Sequence, residues 1–167
     1  MLRTGWPVLL GVVLLVWLSG CSSYDAPRLT VSSVTIADQS DEAVVLLFTV
    51  DAANANEEAL PLERVRYTVR LNGRVVFRGT RWAEATLRRV GTQQITLPAA
   101  IPFEDAPELR SDARDQLVGG LPYRITGRMT YVTPGEIAQL LFDAGVRRPR
   151  VRFADEGVLE FGETAAE

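Results

Sequence analysis

The sequence predicts an all-β domain, a fibronectin- or immunoglobulin-like antiparallel β-sandwich of about seven strands, with one short helix at 134–144. Two observations carry this. Runs of β-forming residues recur with a period of two and are broken by turn residues, which is the rhythm of a sandwich rather than of βαβ units. At 167 residues, with 47% hydrophobic and 23% charged side chains, the chain holds one ordinary globular core and has no room for a second.

Residues 29–37 place Leu29, Val31, Val34 and Ile36 around a bend at Ser32-Ser33. The run from Val44 to Val50 is nearly continuous and apolar, as a central strand is when both faces are covered. In the third strand Val65, Tyr67, Val69 and Leu71 point to one face, while Arg64, Arg66, Thr68 and Arg70 point to the other. Further strands are expected at 91–98, at 122–132 and near 150–161. In the second of these Tyr123, Ile125, Met129 and Tyr131 alternate with Arg124, Thr126 and Arg128.

The helix is marked by Thr133 as N-cap, Pro134 at its first position and Glu136 closing a capping box. Ile137, Leu140, Leu141 and Ala144 form its inward face before Gly145. Residues 104–120 are acidic, and Asp112 to Val118 suit a helical turn or two, ended by Gly119-Gly120.

The turn after the third strand is argued by register. A two-residue Asn72-Gly73 hairpin sets Tyr67 against Arg78, with apolar and charged residues on one face, which the alternation forbids. A three-residue loop with Gly73 at the left-handed position of a bulge instead pairs Val69 with Val75 and Tyr67 with Phe77. The second register is the expectation.

The amino terminus is built as a secretory signal: Arg3, then the apolar run Val8 to Leu18, then small residues. That run is short of the roughly twenty residues a membrane-spanning helix needs. Leu18-Ser19-Gly20-Cys21 resembles the lipobox of bacterial lipoproteins, in which the Cys thiol takes a diacylglycerol and the new amine is acylated after cleavage. The resemblance implies a signal peptide at 1–20, a lipidated tether at 21–28 and a domain at 29–162. Ser22 in place of Asp implies, by the same likeness to Gram-negative lipoproteins, transfer to the outer membrane, facing the periplasm. Cys21 is the single Cys, so its lipidation leaves no thiol for a disulfide and the core must suffice.

The composition excludes much chemistry. The chain has no His, and all 18 of its basic residues are Arg. It therefore lacks an imidazole base, a Ser-His or Cys-His pair, a His-ligated zinc site and a Schiff-base lysine. Opposed carboxylates of the glycosidase kind are not evident, since Asp155-Glu156 and Glu57-Glu58 read as turn residues. The expectation is a protein without catalytic residues, metal or cofactor.

Asn54-Ala55-Asn56, followed by Leu60-Pro61-Leu62, Tyr67, Leu71-Asn72-Gly73 and Gly79, resembles the water-stress and hypersensitive-response domain, also called late embryogenesis abundant group 2. The likeness is best over 29–98 and weaker over 121–161. Ala55 stands where that family has Pro, and 133–148 reads as an added helical segment. The resemblance implies a fibronectin-like sandwich and a role in tolerance of drying, freezing or related stress, with neither a catalytic site nor a defined ligand. Asn54, Asn56, Asn72 and Gly73 are the turn residues of the pattern. Asn54 and Asn56 are expected to tie a turn to backbone groups, as turn Asn side chains ordinarily do.

Charge is segregated along the chain. Residues 38–58 hold six acidic and no basic side chains, whereas 62–91 hold eight Arg with Glu63 and Glu84; after cleavage the net charge is 17 minus 21, or −4. In the expected register Arg66 faces Arg78 and Arg70 faces Arg74, an unfavourable arrangement unless anions relieve it. The carboxylates of 38–58 or 104–115 are the expected intramolecular partners. The sharper alternative is that Arg66, Arg70, Arg74 and Arg78 bind phosphates of lipopolysaccharide or phospholipid head groups. The expected partners are thus the membrane, through the lipid anchor, and an anionic lipid or an envelope protein. Nucleic acid is not expected, because the protein is acidic and exported. Open sandwich edges invite strand addition by a protein partner, although proteins usually protect such edges.

Overall fold

The computed structural model describes residues 24–83, 85–114 and 119–160. The segment expected to be a signal peptide, 1–20, and Cys21 lie outside the described residues. Eight strands run in the order β1 (Arg28–Gln39), β2 (Ala43–Asn54), β3 (Leu60–Leu71), β4 (Arg74–Trp82), β5 (Thr86–Leu87), β6 (Gly91–Pro102), β7 (Leu121–Tyr131) and β8 (Arg150–Leu159). Helix α1 is Ser111–Arg114, preceded by a 3-10 turn at Pro107–Leu109, and α2 is Glu136–Asp143.

The strands form two antiparallel sheets. The smaller has the order β1-β2-β6; the larger has the order β4-β3-β7-β8, with the short β5 continuing the β4 edge along the start of β3. The expected all-β sandwich is the observed fold. Alternation explains why the sheets stack: Val44, Leu46, Phe48, Val50 and Ala52 of β2 face Val65, Val69 and Leu71 of β3 and Ile125 and Met129 of β7 across one continuous core, all fully buried. Tyr67 crosses the core, its hydroxyl donating to the Pro98 carbonyl of β6. The Ser32-Ser33 bend is a bulge, with the pairing shifted between Val31 and Ser33.

The hairpin register differs from expectation. Asn72 (φ 47) and Gly73 (φ 80) form a two-residue turn in the left-handed region, so Leu71 pairs with Arg74 and Arg70 with Val75. A bulge one pair further on then sets Val69 against Phe77, Thr68 against Arg78, Tyr67 against Gly79 and Arg66 against Thr80. The turn keeps its preferred Asn-Gly geometry, and the extra residue at Val75-Val76 restores the phase that the tight turn alone would lose. The expected Arg66–Arg78 and Arg70–Arg74 oppositions therefore do not occur.

The helix also differs. It begins at Glu136, two residues later than expected. Gly135 precedes it in a non-helical conformation (φ 111), and no side chain caps it. The capping box is absent because Gly135, not Thr133, makes the turn into the helix. The inward residues are Leu141 and Phe142, while Ile137, Leu140 and Ala144 are exposed. Of the segment expected from Asp112 to Val118 as helical turns, residues 111–114 are helical and 115–118 lie outside the described residues.

Candidate functional site

The outer face of the larger sheet concentrates arginine. On β3 the outward residues are Arg64, Arg66, Thr68 and Arg70, and each has an outward partner on β7: Thr130, Arg128, Thr126 and Arg124. Strand β8 adds Arg150, Arg152, Ala154 and Glu156 opposite these. One row across the sheet thus reads Thr80, Arg66, Arg128, Arg152. Side chains directly opposite in antiparallel strands lie about 4.5–5.5 Å apart at Cβ, so three arginine side chains leave the sheet from adjacent positions.

Between Arg66, Arg78, Arg128 and Arg152 lies an open concavity of about 420 Å³, floored by Thr68, Thr80, Thr126 and the backbone at Gly79 and Gly127. On the inner side Phe77 lies over Gly79 and Phe153 over Gly127, where a Cβ would meet the Phe153 ring at 2.3 Å. Aromatic rings from neighbouring positions fill the space that those glycines leave, and Tyr67 stacks on Phe77 at 5.4 Å between centroids. A second concavity of about 740 Å³ lies nearer the β3–β4 turn, among Arg70, Gly73, Pro122, Tyr123, Arg124, Glu156, Gly157 and Val158.

Neutralisation within the molecule is sparse. Among the described residues one ion pair forms, Arg124 with Glu156. Of the expected partners, the carboxylates of 38–58 or 104–115, those of 38–58 and Glu104, Asp105, Glu108 and Asp112 form no ion pair with this face, and Asp115 lies outside the described residues. The reason is topological: Asp38, Asp41, Glu42 and Asp51 belong to β1, β2 and their connection, on the other sheet. Arg64 instead lies over the Trp82 ring at 4.5 Å, where the ring face attracts a cation.

Of the arginines singled out from sequence, Arg66 and Arg78 line the first concavity and Arg70 the second. Arg74, paired with Leu71 beside the turn, lines neither. Arg128 and Arg152 were not singled out. Alternation alone puts Arg128 on an outer face; what was missing is that β7 pairs with β3 and β8 with β7, which only the sandwich topology supplies.

The asparagine turn is a clamp. Asn54 is 2% exposed, and its Nδ2 donates to the carbonyls of Glu58 (2.8 Å) and Arg88 (3.1 Å). Its Oδ1 accepts from Asn56 N–H at 3.0 Å and Asn56 Nδ2 at 2.8 Å. Asn56 in turn grips the tether: Asp25 N–H donates to Asn56 Oδ1 at 3.0 Å, and Asn56 Nδ2 donates to the Asp25 carbonyl at 2.8 Å. Asn72 and Gly73 make the β3–β4 turn at the opposite end.

Near the second concavity the Tyr123 hydroxyl donates to Asp155 Oδ2 at 2.8 Å. Burial, then the hydrogen bond and charge of Asp155, push its pKa up to about 12. At neutral pH Tyr123 is a donor that orients Asp155, not a base.

A family model described as late embryogenesis abundant protein matches residues 49–139, more than half of the chain. Two solution structures share the fold. One, of an Arabidopsis thaliana protein, has a TM-score of 0.61 and 16% identity, covering 87% of this chain and 90% of that one. The other, of a late embryogenesis abundant (LEA) protein, has a TM-score of 0.63 and 15% identity, covering 94% and 83%. None of the curated proteins matches the chain.

Proposed function

The chain belongs to the late embryogenesis abundant family, group 2, and on that premise we propose that it is a lipid-anchored envelope protein whose non-catalytic sandwich shields anionic envelope components during drying. Membership of the family fits a stress-related role. The anchor is the lipid on Cys21, and Ser22 directs the protein to the outer membrane, facing the periplasm. Several acyl chains exceed what stable anchoring needs, so attachment is permanent.

The observation that carries the reading is the row Arg66, Arg128, Arg152 with Arg78 beside it, four arginines that form no ion pair among the described residues. A protein that gained nothing from this face would lose stability to it. Guanidinium forks pair bidentately with phosphate oxygens, and the threonine hydroxyls of the floor supply further donors. The ligand class is therefore a multiply phosphorylated or otherwise polyanionic envelope component.

The test is a calorimetric titration of residues 24–167 with tripolyphosphate across a range of salt. The buried core lies wholly between Val44 and Leu159, so this segment contains it. Binding that weakens with salt and drops at least tenfold in Arg66→Ser with Arg128→Ser supports the reading. Binding unchanged in that variant, or absent from the parent, refutes it.

A further inference from the structure

Large apolar side chains are exposed at one end of the sandwich: Val90 at 68%, Ile137 at 76%, Leu140 at 68% and Val146 at 72%. The pairing places them together with the tether. Arg28, the first residue of β1, pairs with Ala53 near the end of β2, and Gly91, next to Val90, pairs with Asn54. Helix α2 and Val146 occupy the connection from β7 to β8, whose flanking residues Tyr131 and Arg150 pair with Leu62 and Thr130 at that same end. Ile137, Leu140 and Ala144, spaced i, i+3 and i+7, share the face of α2 turned away from Phe142 and the core.

Two details set this end apart from ordinary surface. Val90 holds a φ of 41, a left-handed conformation that β-branched residues rarely adopt; its N–H donates to the Asn56 carbonyl at 3.0 Å. The side chain is thus held outside the core by the clamp that holds the tether. Each valine also adjoins two exposed arginines, as Arg88-Arg89-Val90 and Val146-Arg147-Arg148. Such pairs suit an interface where apolar groups enter and guanidinium groups meet phosphates. Asp25, Glu57, Glu58, Glu136 and Asp143 share this end, so apolar contact rather than net charge carries the attraction.

The occupant is fixed by the length of free chain. Asp25 is fastened to Asn56 by two hydrogen bonds, which leaves three peptide units between Cys21 and Tyr24, a reach of at most about 11 Å. A lipid on Cys21 therefore brings this end, and no other, against the head groups. We propose that the tether end docks on the bilayer that holds the Cys21 lipids, with Ile137, Leu140, Val146 and Val90 in the head-group layer, as monotopic amphipathic surfaces do. The inference rests on lipidation of Cys21. Twelve residues of β3, at about 3.3 Å each, then hold the β3–β4 turn roughly 40 Å from the surface, and the arginine face stands upright between the two levels.

The experiment uses the mature lipidated chain in vesicles of phosphatidylethanolamine and phosphatidylglycerol. Because lipidation consumes Cys21, a thiol introduced by Leu140→Cys or by Arg74→Cys takes a fluorophore at one place. Quenching by brominated lipid is expected to be at least threefold stronger at 140 than at 74, to persist in high salt, and to fall in a Leu140→Cys chain that also carries Ile137→Glu and Val146→Glu. All these side chains are exposed, so the variants fold. Equal quenching at 140 and 74 in chains whose mass shows the lipid overturns docking and leaves the anchor standing; a mass without lipid overturns both.

Discussion

Asn54 carries more of the local structure than any other polar residue. It is buried, and its amide satisfies the carbonyls of Glu58 and Arg88 while receiving two donors from Asn56. Truncation leaves those groups without partners in a closed site, at roughly 1–3 kcal/mol for a buried unsatisfied group. Asn54→Ala is accordingly expected to lower stability by about that amount in urea unfolding; Asn56→Ala, at an exposed position, costs less but frees Asp25. A midpoint for Asn54→Ala equal to the parent's would show that the clamp is ornamental. Tyr123 gives a pH-dependent counterpart. Its pKa rises from 10.0 to about 12 on folding, so the folded state holds the proton more tightly. The stabilisation is full below pH 10 and is lost as pH rises through 12. The pKa values of Tyr24, Tyr67 and Tyr131 are raised as well, so ultraviolet titration should show a component near 12 that is lost in Tyr123→Phe, whose alkaline stability falls less steeply above pH 10.

Elements differ in how far their residues foretold them. Strands β3 and β7 follow from alternation because each covers a core with one face, and a slip of one residue would bury arginine; β2 is legible instead as a nearly continuous apolar run, of which the structure buries every second residue. The β3–β4 hairpin did not follow, since two local solutions satisfy the same alternation: a bulge within the loop, or a tight Asn-Gly turn with the bulge one pair later. The structure takes the second, and local turn preference decides it. Helix α2 was foretold in place but not in orientation. Its apolar residues exceed what one face can bury, and periodicity alone does not say whether Leu141 and Phe142 or Ile137 and Leu140 turn inward.

The arginine row belongs to this scale as well, because it arises from pairing between strands far apart in sequence. Arg128 sits between Arg66 and Arg152, and like charges directly opposite are destabilising, most of all at low salt. Arg128→Gln is expected to raise the melting temperature in low salt, with the gain shrinking as salt screens the row. A melting temperature that drops would mean the guanidinium groups are stabilised within the molecule.

At the scale of the whole molecule, the sandwich separates charge by sheet. Acidic side chains of β1, β2 and their connection lie on the smaller sheet, and the outward arginines of β3, β7 and β8 lie on the larger. The separation was visible along the chain as acidic 38–58 and basic 62–91, but its sense was not. Neighbouring segments of opposite charge invite the idea that they neutralise each other, and the fold instead sends them to opposite outer faces. A protein with net charge −3 thereby presents a strongly cationic surface. On the proposed reading, attraction to phosphates is local to that sheet, and the acidic remainder keeps the protein from adhering everywhere.

The central claim is that this surface, fixed at a membrane, preserves anionic envelope components through drying. Its most direct measurement is retention of trapped dye by vesicles of phosphatidylglycerol and lipopolysaccharide, dried and rehydrated with the anchored chain. The comparisons are an equal mass of inert globular protein and the Arg66→Ser, Arg128→Ser, Arg152→Ser variant. The account predicts retention well above the inert control, falling to that control in the triple variant; retention equal to the inert control with the unaltered chain contradicts it.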